Sequence, residues 1–305
     1  MFLLVLRLAL PWMLLICLAG PVRAQAPRDS RDPASADPVQ VDTVNPPRTE
    51  ELALESSGAR LNGFLYLANG ARLHPTVILL HGFPGNERNL DLAQVLRRAG
   101  MNVLFFSYRG AWGSGGTFSF ANALEDVEAV SRFVRSDSSV KAYGVDRRRV
   151  ILVGHSLGGW LALMGSAADT SVSCAVALDF WNVGADGEEM RTRAGADSAF
   201  TRYADWLTAP GGPLHADSGR ALTREIEDHA EQWNLDHNTG SLRTRPLLIV
   251  STTANDAHPR LIGALRAAGA QHVTAQQWKT DHGFSAQRIR LARTIVDWLR
   301  AHCGT

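Results

Sequence analysis

Two periodicities share the chain from Leu52 onward. Leu52 to Leu54 and Leu61 to Leu67 read as short strands around Ser57 and Gly58, an antiparallel start. Solid apolar runs follow at Thr76 to Leu80, Val103 to Ser107, Val150 to Val153, Cys174 to Leu178 and Leu247 to Ser251, with a last strand from His272 to Trp278. Between them lie stretches with helical spacing: Leu90 to Arg98, Ala123 to Val134, Trp160 to Ala168, Arg260 to Ala268 and Ser285 to Ala301. A strand that is apolar at every position exposes neither face to water, and helices alternating with such strands supply the cover. The pattern predicts an α/β domain with a mostly parallel sheet and flanking helices.

The alternation lapses from Asp179 to Arg245, where Trp181, Tyr203, Trp206 and Trp233 stand among Gly and Pro at Gly211 to Pro213, with a helix expected near Arg220 to Trp233. A loop of about 65 residues does not float free in a compact domain, and its aromatic rings need a surface to cover. We read about 180–245 as a cap inserted into a domain spanning 50–305. Upstream, Pro27 to Glu50 mixes Pro, Asp, Ser and Arg with little apolar content, so ordering it gains little burial, and 25–49 reads as a flexible linker.

The first residues change the picture of where the domain works. Phe2 to Ala19 is almost wholly apolar and closes on Gly20, Pro21, Val22, Arg23 and Ala24, the shape of a secretory signal peptide over 1–24 with cleavage before Gln25. Its weakly basic start leaves an uncleaved anchor as the alternative. The expectation is an exported protein, periplasmic or secreted, with no later apolar run of about 20 residues able to span a membrane. Formal charge is +1 for the whole chain, near −1 once Arg7 and Arg23 leave with the leader, and no long basic run invites nucleic acid. Cys174 and Cys303 remain; one disulfide is arithmetically allowed, and a buried reduced thiol at Cys174 is at least as well supported.

Chemistry concentrates at Val150-Ile151-Leu152-Val153-Gly154-His155-Ser156-Leu157-Gly158-Gly159, a buried strand running through a glycine-flanked turn into an apolar helix. The turn compresses the backbone at Ser156, Gly154 and Gly158 remove Cβ atoms that would collide, and the hydroxyl projects from the sheet edge. The helix starts at once, which leaves the Leu157 N–H free for a developing oxyanion. His81-Gly82-Phe83-Pro84-Gly85 follows another strand, so the Phe83 N–H faces the same carbonyl; losing one such donor costs roughly 3 kcal/mol of transition-state stabilisation. A base is expected in His282, in the loop after the last strand. The carboxylate that orients it is assigned to Asp256, after the preceding strand, with Asp179 as the principal competitor.

These residues resemble the α/β-hydrolase superfamily over about Glu50 to His302, especially its serine esterases and its serine aminopeptidase or prolyl-oligopeptidase-like catalytic domains. The resemblance implies the α/β-hydrolase fold, Ser156 as nucleophile, His282 as base and then acid, Asp256 as orienter, and the Phe83 and Leu157 amides as the oxyanion hole. The segment Tyr108-Arg109-Gly110-Ala111-Trp112-Gly113-Ser114 resembles a family loop near the pocket. Arg109, Trp112, Trp160 and Trp181 are candidate pocket residues, with a bracing ion pair to Glu125 or Asp126 the stronger reading of Arg109. The remaining histidines show no short ligand spacing and no phosphate loop is present, so neither metal nor cofactor is expected. The expected activity is hydrolysis of a small carboxylic ester through an acyl-enzyme. The alternatives are a serine peptidase or aminopeptidase acting on short peptides, and a noncatalytic ligand-binding homologue; oligomeric state is not legible.

Overall fold

The computed structural model describes residues 31–305; the expected leader and the start of the expected linker lie outside the described residues. One sheet contains β1 (Arg48–Ser56), β2 (Ala59–Leu67), β3 (His74–Leu80), β4 (Asn102–Phe106), β5 (Val145–His155), β6 (Cys174–Leu178), β7 (Leu247–Thr252) and β8 (Val273–Trp278), in the spatial order β1-β2-β4-β3-β5-β6-β7-β8. β1 and β2 form the antiparallel hairpin, β2 joins β4 antiparallel, and every later pairing is parallel. The hairpin turn needs positive φ at both central residues, and Ser57 and Gly58 adopt 47° and 77°.

Alternation along the central strands divides the core into two layers. Val77 and Leu79 pack with α1 (Leu90–Arg98) and with α11 (Arg288–His302), while Ile78 and Leu80 pack with α2 (Phe120–Arg135), α4 (Leu157–Ala168) and α10 (Ala257–Ala267). All seven residues of β3 are buried, as are all of β4, β6 and β7, which is why these strands read as solid apolar runs. Each fully buried aliphatic side chain contributes roughly 1.5–3 kcal/mol, so the sheet centre outweighs any local propensity. A short helix that the pattern did not announce, α3 (Asp137–Tyr143), is capped by Ser136 and ends on Gly144 at φ 62° before β5.

The inserted segment between β6 and β7 is helical: α5 (Val183–Thr192), α6 (Ala196–Thr208), α7 (Gly219–Asp228), α8 (Ala230–Trp233) and α9 (Thr239–Leu242). It is fastened rather than draped. Glu225 of α7 accepts from the Phe120 and Ala121 N–H groups at 2.9 Å each, placing a carboxylate where the first turn of α2 has unpaired donors. Trp160 of α4 donates its indole N–H to the Trp233 carbonyl at 2.9 Å, and Asn182 bonds Asn234 and the Leu235 N–H.

The described part of the expected linker is not free. Pro33 is buried, its carbonyl accepts from Arg98 Nε at 2.7 Å, and Asp32 pairs with Arg293 at 2.7 Å. Farther on, the Asp42 N–H donates to Asn69 and the Asn45 carbonyl accepts from the Gly70 N–H. Composition overlooked these bonds because they are made chiefly to polar partners on α1, on α11 and in the turn between β2 and β3, which a low apolar content does not announce.

Cys174 and Cys303, whose pairing the sequence leaves open, are joined as a disulfide. The bond ties β6 to the residue that ends α11 across 129 positions. A cross-link closing so long a loop restricts the unfolded chain and typically contributes about 2–4 kcal/mol. Reduction, or Cys303→Ala, is expected to lower Tm by roughly 5–10 °C in a calorimetric scan; an unchanged transition would mean that the bond does not constrain the unfolded state.

Candidate active site

Parallel strands carry their C-terminal ends to one edge of the sheet, and the predicted chemistry collects there. Ser156 sits between β5 and α4 at φ 57° and ψ −118°, a conformation that L-residues rarely hold. The closeness of the turn demands glycine on both sides: a Cβ on Gly154 would lie 1.9 Å from the Gly158 carbonyl oxygen, and one on Gly158 would lie 2.1 Å from that of Leu80. The serine backbone is fully engaged, its N–H donating to Leu178 at 2.9 Å and its carbonyl accepting from Gly159, Trp160 and Trp181 at 3.0–3.2 Å.

Two amides border the hydroxyl. Leu157 opens α4, so its N–H has no intrahelical acceptor. The strand end at His81-Gly82-Phe83 runs alongside: a Cβ on Gly82 would lie 3.1 Å from Ser156 Cβ and 3.7 Å from its Oγ. Neither the Leu157 nor the Phe83 N–H has a protein acceptor among the described residues. His81 itself is buried, donates Nδ1–H to the Gly82 carbonyl at 2.8 Å and leans on Tyr108, whose hydroxyl donates to the His81 carbonyl at 2.9 Å. Burial, assisted by Arg88, brings its pKa down to about 4, so it shapes this loop as a neutral ring.

His282 stands in the loop after β8, and its Nδ1 donates to Asp179 Oδ2 at 2.6 Å. The carboxylate at the ring is therefore Asp179, and the assignment to Asp256 is corrected. Asp256 is exposed at the start of α10, whereas Asp179 ends β6 at φ 40° and is buried. Its other oxygen accepts from the Thr252 N–H at 2.8 Å and Asn255 Nδ2 at 3.2 Å. Burial pushes the Asp179 carboxyl up, but the bonds from His282, Thr252 and Asn255 outweigh that and hold it below its ordinary value. The residue that the Asp256 segment contributes is thus its neighbour, Asn255, as a brace for the acid.

His155 joins the serine turn to the histidine loop. Its Nε2 donates to the His282 carbonyl at 2.8 Å, and the two rings lie 4.5 Å apart between centroids. Burial, then the adjacent His282, brings the His155 pKa down to about 4. Ser156 Oγ and His282 share no hydrogen bond among the described residues, so the two loops meet through His155 and the Asp179 bond.

The candidate pocket residues separate. Arg109 is buried, pairing with Asp126 at 2.6 Å and Glu125 at 2.7 Å and bonding the Asn122 carbonyl at 2.8 Å, so it braces its loop and is not pocket lining. Trp160 is wholly buried beneath Trp233 and is likewise core. Trp112 donates to the Pro84 carbonyl at 2.7 Å and so braces the loop after β3. Trp181 is half-buried, packs its ring against Phe83 and holds its indole N–H on Asp186 at 2.6 Å, while its backbone N–H reaches the Ser156 carbonyl. Phe200 and Tyr203 of α6, which pack against Phe83, were not singled out as site residues; their exposed helix gave no motif. No group of three or more His, Cys, Asp or Glu suited to a metal occurs among the described residues, and no described helix is long and apolar enough to cross a membrane.

A profile of the Alpha/beta hydrolase family matches residues 77–294. The chain belongs to that family. Its sheet order and parallel crossovers have the alpha/beta hydrolase topology. Among solved structures, this chain is similar to an esterase of Pyrococcus furiosus, with 16% identity and a TM-score of 0.60 over 85% of this chain and 92% of the other. A bacterial brefeldin A esterase gives 18% identity and 0.58 over 90% and 82%, and the acylaminoacyl peptidase of Pyrococcus horikoshii 14% and 0.59 over 86% and 42%. At these identities the likeness is one of fold. Curated relatives include an uncharacterized Mycobacterium tuberculosis protein, 29% identical over 131 residues, 42% of this chain and 45% of the relative. An uncharacterized 31.7 kDa Escherichia coli protein is 34% identical over 126 residues, 39% and 41%. The chain spans less than half the length of the curated relatives it matches.

Two outcomes are expected. Asp179→Asn removes the acceptor that fixes the His282 tautomer and lowers ester turnover by about 10⁴, while Asp256→Asn stays within a few-fold; steady-state kinetics with both variants decides between the two acids. Below the free-histidine value of 6.5 the unfolded chain takes up protons that His81 and His155 refuse until about pH 4. Stability should fall as pH drops through that window, by about 3 kcal/mol per buried ring, and His155→Gln should flatten the dependence of Tm on pH.

Proposed function

We propose that this alpha/beta hydrolase cleaves carboxylic esters through a covalent acyl-enzyme on Ser156. The single observation that carries the reading is the 2.6 Å bond from His282 Nδ1 to Asp179, because it commits the proton to Nδ1 and leaves Nε2 as the basic nitrogen. Nε2 takes the Ser156 hydroxyl proton as Oγ attacks the ester carbonyl. The oxyanion that forms receives the Leu157 and Phe83 N–H groups, and the carboxylate of Asp179 stabilises the imidazolium. Collapse breaks the bond to the alkoxy oxygen, which leaves with the proton from Nε2. Water then repeats the sequence, giving its proton to Nε2, attacking the acyl carbon and releasing the carboxylic acid and free Ser156.

No metal or cofactor enters these steps. An alcohol leaving group is favoured over peptide nitrogen because the latter demands closer control of proton delivery. Several structurally similar proteins are described as esterases, which supports the same preference.

A fluorophosphonate probe should label the folded protein and label nothing in Ser156→Ala, with hydrolysis of short acyl esters falling by about 10⁴ or more. Equal labelling of wild type and Ser156→Ala would remove Ser156 from the mechanism. Cleavage of unblocked dipeptides in preference to the esters would make the protein a peptidase instead.

A further inference from the structure

The His282 side chain is 59% exposed, against 5% for Asp179, so hydrogen bonds rather than packing must place its ring. Several bonds nearby stay inside its own loop: the Phe284 N–H reaches the Asp281 carbonyl at 3.0 Å, the Ser285 N–H the Asp281 carboxylate at 2.7 Å, and Gln287 the Lys279 carbonyl at 3.2 Å. These give the loop a shape without giving it a place. Phe284, buried edge-on against Trp278, seats it on its own strand end. Beyond the Asp179 bond, the backbone at the base is held at two successive carbonyls, that of His282 by His155 at 2.8 Å and that of Gly283 by Arg288 at 2.9 Å. A Cβ on Gly283 would meet only the Ser285 hydroxyl, at 3.4 Å, so little packing restrains that peptide.

Arg288, the first residue of α11, spends its whole fork on one connection. Besides the Gly283 carbonyl, it donates from Nε and Nη2 to the two Asp91 oxygens at 2.8 and 2.5 Å, and from Nη2 to Asn89 Oδ1 at 2.9 Å. Asn89 ends the loop after β3 and Asp91 lies in the first turn of α1, and that same loop carries Phe83. In the sheet β3 and β8 are separated by β5, β6 and β7, so strand pairing does not make their loops neighbours. α11 returns to share an apolar layer with α1, and Arg288 joins the two loops at the start of both helices. Asn89 is buried at φ 54° with its N–H on Glu87 at 2.6 Å, which makes this end of the link firm. Burial pushes the Asp91 carboxyl up, but the bonds and charge of Arg288 outweigh that and hold it below its ordinary value, so the pair is ionic. A two-pronged guanidinium and carboxylate pair fixes direction as well as distance, yet with Asp91 half-exposed it adds little to stability.

We propose that Arg288 is a positioning residue for the His282 base, its fork tying the base loop to the loop that carries the Phe83 amide so that base and oxyanion donor keep one spacing. The proposal deepens the acyl-enzyme reading and rests on it. Two acetyl esters test it. Ethoxide must leave with a proton from His282, whereas p-nitrophenoxide leaves without one, so a displaced base slows ethyl acetate more than p-nitrophenyl acetate. Arg288→Met keeps the aliphatic stem and should lower kcat/KM by about 100-fold for the ethyl ester and about tenfold for the nitrophenyl ester. Asp91→Ala, at a half-exposed position, should lower the ethyl ester about fivefold with a smaller loss for the other, and the double variant should lose no more than Arg288→Met alone. Loss of folded enzyme would depress both esters equally, so equal losses overturn the proposal, as do changes within about twofold or losses that multiply in the double variant. If Arg288→Met does not fold, the ester ratio in Asp91→Ala decides alone. Fluorophosphonate labelling keeps the two readings apart: a labelled wild type with an unchanged ester ratio in the variants removes the role of Arg288 alone, whereas an unlabelled wild type removes the Ser156 nucleophile and the positioning role with it.

Discussion

A serine held at φ 57° between the buried C-terminal half of β5 and the buried first turns of α4 is the constraint around which the site is arranged. Such a backbone persists only where its surroundings leave no alternative. Here the surroundings are the sheet itself: the Ser156 N–H is taken by Leu178 on β6, its carbonyl by Trp181 beyond β6, and the glycines on either side admit the Leu80 and Gly158 carbonyls to distances no side chain would tolerate. The strain is repaid by burial in two apolar layers, and in exchange one hydroxyl and one unpaired N–H emerge together at the sheet edge.

Electrostatics at this edge follow from the same burial. A carboxylate removed from water loses several kcal/mol unless hydrogen bonds replace its solvation. Asp179 receives three, from a histidine ring, a backbone N–H of β7 and an asparagine side chain, and so remains ionised beside a ring that can become cationic. The buried rings of His81 and His155 bond backbone carbonyls instead of a carboxylate, and burial keeps them neutral. The buried negative charge is thereby held at Asp179 against the His282 ring, while the neighbouring imidazoles act as hydrogen-bonding struts. His155 in particular couples the two loops that a Ser156 and His282 chemistry needs close together.

The inserted helices add apolar surface rather than a member of the Ser156, Asp179 and His282 set. Glu225 at the start of α2, the Trp160 to Trp233 bond and the bridge between Ala111 and Leu214 fix the insertion to the domain at three points. That anchoring leaves α6 to hold Phe200 and Tyr203 against Phe83, so the apolar wall belongs partly to the sheet edge and partly to the insertion.

The sequence alone determined the parallel sheet, the helices that cover it, the turn at Ser156 and the position of His282, because each follows from local rules: a strand buried on both faces must be apolar throughout, and a strained turn must be flanked by glycine. Strand ends matched the apolar runs closely at Cys174 to Leu178 and less closely where polar residues extend β1 and β5 beyond their buried centres. Only the tertiary structure decided which acid meets the histidine. Asp179 and Asp256 both follow strands that precede His282, and a linear pattern assigns neither a distance; adjacency of β6 and β7 lets β7 supply the braces while β6 supplies the carboxylate. The Cys174 to Cys303 bond, the burial of Trp160 and the aromatic wall from α6 were withheld for the same reason, since each depends on side chains from separate segments converging in space, whereas the bracing pair of Arg109 with Glu125 and Asp126 was already the stronger reading of the sequence.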